Sequence, residues 1–107
     1  MAKFEYRMQN ILNIKERLES QAKTEFAEKT MKFREEEDKM RKLIFQKRNY
    51  EEEAKNLANG KIDIIAIKRC NDAIKAMDDL LQQQAIRMKM AQKSMDVAKE
   101  KLNVAMQ

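Results

Sequence analysis

One glycine and no proline in 107 residues leave this chain a single place to reverse direction. Proline breaks a helix by removing a donor and clashing with the preceding turn, and glycine weakens one through backbone entropy. Their absence elsewhere predicts long uninterrupted helices. Around the exception the chain reads Leu57-Ala58-Asn59-Gly60-Lys61-Ile62-Asp63. Asn-Gly is able to supply the left-handed residue that closes a helix carboxyl end. Asp63 then caps the next helix, and Ile62 and Ile67 have the spacing of a hydrophobic staple. The expected fold is all-α: a long two-helix antiparallel coiled-coil hairpin forming one domain over residues 1–107. Its helices should span about 4–58 and 64–107, with the turn at 59–63. The alternative is one continuous helix through Gly60, which costs about 1 kcal/mol relative to Ala.

The second half carries the clearest pattern. Steps of three and four from Ile67 meet Cys70, Ile74, Met77, Leu81, Gln84, Met88, Ala91, Met95, Ala98, Leu102 and Ala105. Gln84 alone is neither apolar nor small, which argues for a left-handed coiled coil. One column holds large residues, whereas the other shrinks to Ala91, Ala98 and Ala105. Such small positions accept bulky knobs from a partner helix. With the turn centred near residue 61, position i faces about 122 minus i. Phe26 and Phe33 then meet the alanine end of the second helix. This match of large with small favours an intramolecular hairpin over a parallel dimer.

The first helix is less regular. Phe4, Met8, Ile11, Leu18 and Ala22 begin a heptad, Phe26 and Phe33 shift it, and Met40, Leu43, Tyr50, Ala54 and Leu57 resume it in a new phase. A four-residue insertion of this kind unwinds a coiled coil locally. A straighter, more loosely packed segment is therefore expected near residues 22–36, where Lys29 and Glu36 fall on the seam. By the same pairing Gln107 faces about Lys15. The apolar residues Phe4, Tyr6, Met8, Ile11, Leu12 and Ile14 then have no partner within this sequence, and an exposed stripe of that size marks a binding surface.

Catalysis lacks its parts: there is no histidine, no Gly-rich phosphate loop, and no nucleophile with a base beside it. No enzyme, cofactor or metal site is expected, since one Cys and no His would leave carboxylates alone as ligands. Cys70 lies on the seam, where a small buried hydrophobe is the expected role rather than a redox thiol. The net charge of +5 is spread over both halves, and acidic runs at Glu35–Asp38 and Glu51–Glu53 argue against nucleic acid. Charges interrupt every apolar stretch, and the start has no signal-peptide core, so the chain reads as cytoplasmic.

The opening Lys3-Phe4-Glu5-Tyr6-Arg7-Met8-Gln9-Asn10-Ile11-Leu12-Asn13-Ile14-Lys15 resembles the start of the FliJ family, the soluble stalk protein of the flagellar type III export apparatus. That family opens on an aromatic-x-aromatic-Arg-Leu-Gln stretch; here Met8 stands in place of the Leu. Leu43-Ile44, Tyr50, the turn at Gly60 and the long second helix occupy similar relative places. The second helix stops before those of the family usually do, which implies a fragment or a short member whose further segment would cover the amino-terminal stripe.

The resemblance implies a protein similar to the central stalk of rotary ATPases. It would promote assembly of the export ATPase ring, touch the export gate protein FlhA and handle export chaperones, peripherally at the inner-membrane export apparatus. By position, ATPase contact falls on Arg7, Gln9, Lys15 and Arg17, and gate contact on Leu43, Tyr50, Ala73 and Met77. The bland reading of Leu43, Tyr50 and Met77 is a buried seam. The unpaired amino-terminal segment also offers a route to self-association. A second functional class is a prefoldin-like holdase, or a generic coiled-coil interaction protein, gripping clients with exposed apolar ends.

Overall fold

The computed structural model describes residues 2–107, and these form two helices, α1 (Ala2–Asn59) and α2 (Ile64–Met106). The fold is an all-α helical hairpin. Straight-chain residues dominate both helices, and they give up little rotamer freedom there. Near-neighbour ion pairs support the exposed side of α1: Arg41 reaches Glu37 at 3.6 Å and Asp38 at 3.1 Å, and Lys47 reaches Glu51 at 3.7 Å. Each such exposed pair adds a few tenths of a kcal/mol.

Two compact units divide the chain, one holding the residues up to Phe33 with Met90–Gln107, the other Arg34–Lys89. The second contains the reversal. There the backbone N–H groups of Ile65 and Ala66 donate to Asp63 Oδ1 at 3.1 and 3.2 Å, and Ile67 N–H donates to the Asp63 carbonyl at 3.0 Å. Asp63 is thus the cap that the sequence predicts, satisfying two of the donors that a helix start leaves open. The staple is weaker than expected, because Ile62 stays 72% exposed.

Gly60 corrects a second expectation. None of the described residues has a positive φ, so no left-handed residue closes α1. Four residues, 60–63, separate the helices, with bends at Gly60 and Lys61. That length suffices to turn the chain through ordinary backbone conformations. A Cβ added to Gly60 would meet only the Asn56 carbonyl oxygen, at 4.0 Å. Gly60→Ala should therefore stabilise the protein by about 0.4–1 kcal/mol, by restricting the unfolded chain. Urea unfolding measures this, and a destabilised variant would contradict the turn geometry.

All twelve seam positions from Ile67 to Ala105 are buried or half-buried, with Cys70, Met77, Gln84 and Ala98 the most enclosed. On α1, burial advances by fours through Ala22, Phe26 and Thr30 before Phe33, which is the phase shift anticipated from the sequence. Lys29 stays exposed and Thr30 takes its place. From Phe33 the regular steps resume through Glu36, Met40, Leu43, Lys47, Ala54 and Leu57. The new phase begins at Phe33 rather than Met40; Glu36 lies on the seam as expected, and Lys47 is the seam position that its charge hid.

Loose packing at Glu36 is also overturned. Glu36 is 4% exposed and Gln84 5%, and the Gln84 Nε2 donates to the Glu36 carbonyl at 2.9 Å and to Glu36 Oε2 at 2.6 Å. Lys39 Nζ lies 3.4 Å from Glu36 Oε1. Facing residues here sum to 120 rather than the expected 122. Counting outward from a turn ignores which side chains point into the seam, and Glu36 does so where Asp38 does not.

Lys47 solves its own burial differently. Its stem covers the seam while Nζ reaches Asp78 Oδ1 at 2.6 Å. The hydrogen bond to Asp78 holds the Lys47 ammonium above its ordinary 10.5, against a smaller opposing effect of burial. A raised folded-state pKa stabilises fully below the unfolded value and is lost as pH rises through the folded one. Stability should therefore fall above about pH 10.5 through this group. A Lys47→Met variant should lose less between pH 9 and pH 12 in matched urea titrations. Equal losses would remove Lys47 as a contributor.

Candidate partner-binding surface

Every residue from Ala2 to Leu18 is exposed. At 100° per residue, Phe4, Met8, Ile11 and Leu18 lie on the side of α1 that carries Ala22. Ala22 is buried, 8% exposed, so the stripe continues a seam face past the point where burial ends. Leu12 and Ile14 flank the stripe, whereas Tyr6 projects away from it. Phe4 is 68% and Ile11 64% exposed, which leaves large apolar side chains in water.

The polar residues assigned to this segment are spread around the helix. Lys15 shares the apolar side by spacing. Arg7 lines a shallow open hollow with Lys3, Tyr6 and Asn10; Arg17 lines another with Asn13, Glu16 and Gln21. Gln9 Nε2 donates to Asn13 Oδ1 at 3.2 Å within the helix. Arg7, Gln9, Lys15 and Arg17 are thus solvent-facing but do not form one cluster. Such an arrangement fits a long helical contact rather than a pocket.

The second group sits differently. Met77 is buried at 6% exposure, Leu43 and Ala73 are half-buried, and Tyr50 is 37% exposed. Leu43 and Met77 also sum to 120 and share a seam layer with the register of Glu36 and Gln84. Their packing role leaves Tyr50 as the member of the group most open to a partner.

Cys70 is buried in the same unit. Desolvation, with the nearby charge of Glu53, raises its thiol above the ordinary 9.0. A protonated, enclosed thiol is a packing element. Among the described residues no three His, Cys, Asp or Glu side chains are placed to hold a metal ion, and no helix is long and apolar enough to cross a membrane.

The sequence reading missed the Glu36–Gln84 and Lys47–Asp78 contacts. The signal was there in outline: Glu36 stands seven residues from Leu43 in a seam column, and Lys47 seven from both Met40 and Ala54.

No curated protein and no solved structure matches this chain. The family model described as flagellar FliJ protein does match, over residues 4–107. An exposed amino-terminal stripe, a helical hairpin and that near-complete match agree: the chain belongs to the FliJ family and is a component of the flagellar export apparatus.

Proposed function

We propose that this chain is a non-catalytic stalk and adaptor whose free amino-terminal segment engages the export ATPase ring. The observation that carries the reading is the exposure of residues 2–18, with a stripe in line with the buried seam. Apolar surface left in water favours a partner, and Arg7, Lys15 and Arg17 beside it would orient an acidic one. Contacts with the export gate protein FlhA, centred on Tyr50, and with export chaperones complete the adaptor role at the inner-membrane apparatus.

The experiment is stimulation of ATP hydrolysis by the purified export ATPase, together with co-purification. An Ile11→Asp/Leu18→Asp variant should keep its helicity and thermal transition, because both positions are exposed, yet lose both stimulation and capture. A variant that stimulates like the parent would overturn the assignment. The holdase reading is favoured by the same exposed apolar residues. It predicts suppressed aggregation of unrelated unfolded proteins with no change in hydrolysis.

A further inference from the structure

The ion pairs of Lys47 identify one flank of the unit Arg34–Lys89, the flank that carries Glu51 on α1 and Asp78 on α2. Three residues before each of these, a helix places its next neighbour further out on the same side. Those neighbours are Arg48 and Lys75. Heptad steps from Arg48 give Arg34, Arg41, Arg48 and Lys55, an unbroken basic row about 32 Å long at 1.5 Å per residue. From Lys75 they give Lys68, Lys75 and, past Gln82, Lys89. All seven are exposed.

The acidic runs do not cancel these rows, since each run winds around its helix: Glu37 and Glu51 stand between the rows, whereas Asp38, which Arg41 holds at 3.1 Å, and Glu52 lie on the outer side of the α1 row. Glu37, Glu51 and Asp78 are already occupied by Arg41 and Lys47. Among the described residues the other six cations of the two rows form no ion pair. Charge that looks mixed along the sequence is therefore sorted into columns, with the basic rows on this flank and Asp38, Glu52, Asp72 and Asp79 on the outer columns beside them.

A second observation lies at the reversal. Ile62 in the connection and Ile64 and Ile65 in the first turn of α2 are 72, 75 and 67% exposed, an apolar cluster left in water. Exposed Lys61 and Lys68 flank them. Ile64 stands two heptads before Asp78, so it belongs to the basic flank.

We infer that this flank and the isoleucine tip dock the hairpin on an anionic lipid surface, with the two basic rows over the headgroups and the tip in the interfacial layer. Between the rows the large apolar side chains are Ile44 and, at the tip, Ile64, and the nearest aromatic, Phe45, stands outside them on the far side of the α1 row. A protein partner would call for buried aromatic or aliphatic anchors among the charges. A single-stranded nucleic acid would call for stacking platforms. Broad basic charge with a small aliphatic tip is the two-signal composition of peripheral membrane binding. The surface is separate from the amino-terminal segment and stands independently of the ATPase reading.

Co-sedimentation of the full chain tests this, with phosphatidylcholine vesicles containing one-third phosphatidylglycerol against phosphatidylcholine alone. Binding should be confined to the anionic vesicles and fall steeply with salt. Arg48→Gln/Lys68→Gln/Lys75→Gln should weaken it on the order of 100-fold. Ile64→Ser/Ile65→Ser should weaken it on the order of 10-fold at unchanged charge. A control losing the same charge elsewhere, Lys42→Gln/Arg87→Gln/Lys93→Gln, should weaken it less than about fivefold. All variants alter exposed side chains, and circular dichroism verifies their folding. Equal binding to neutral vesicles, equal loss in the control, or tighter binding to duplex DNA than to anionic vesicles would each overturn the proposal.

Discussion

Replacing Gln84 by Leu should lower the stability of the hairpin by about 2–3 kcal/mol, the largest loss expected from any single seam substitution that nearly preserves volume. Gln84 donates twice to Glu36, once to its carbonyl and once to its carboxylate, in a place where both side chains are nearly cut off from water. Leucine removes both donors and sets hydrocarbon against the buried Glu36 carboxylate, which keeps its contact with Lys39 at 3.4 Å. The double variant Glu36→Leu/Gln84→Leu should recover that loss and exceed the parent by about 1–4 kcal/mol, since a well-packed apolar layer outperforms a buried polar one. A uniform apolar seam also loses the layer that penalises other registers and partners. The double variant should therefore populate higher oligomers in sedimentation. Urea unfolding of the two variants is the measurement. A Gln84→Leu protein as stable as the parent would show that the pair contributes nothing.

The second large effect concerns the small column of α2. Ala98→Leu should destabilise by about 1–3 kcal/mol, because Ala98, at 2% exposure, has no space around it to receive three more carbons. Ala22 on α1 is buried in the same unit, and the two residue numbers again sum to 120. Small enclosed residues on both helices let them approach closely in this unit. Ala91→Leu and Ala105→Leu should cost less, since both positions are only half-buried. Thermal unfolding of the three variants orders them, and equal effects would deny the close layer at Ala98. Lys101 Nζ and Glu25 Oε1, 3.6 Å apart in this unit, are too exposed to contribute more than a few tenths of a kcal/mol.

Much of this fold is legible from residue spacing because helix formation and seam burial are periodic. Eleven of the twelve α2 positions were visible as apolar or small side chains, and Asp63 as a cap, since both depend on near neighbours in sequence. On α1 the periodicity missed Lys47, and at Glu36 it found the seam position but not the tight packing there. A charged side chain at a seam position looks like a break in the pattern. Whether it is one depends on what the other helix supplies, here Gln84 for Glu36 and Asp78 for Lys47. Gly60 misled for a related reason. A glycine permits the left-handed conformation without requiring it, and four connecting residues made it unnecessary.

The candidate surfaces divide the same way. The amino-terminal stripe follows from heptad spacing, which puts Phe4, Met8, Ile11 and Leu18 on one side of α1. The basic flank was invisible to charge counting, because acidic and basic residues alternate along the chain and separate only when wound onto helices whose facing sides are fixed.

The sequence by itself thus determined two helices, one reversal, the α2 seam and an apolar amino-terminal stripe, all consequences of local propensity and periodicity. Tertiary structure alone decided the register, the buried Glu36–Gln84 layer and the sorting of charge onto one flank. Each of those depends on which residue stands opposite which, and that is fixed by packing across the seam rather than by neighbours along the chain.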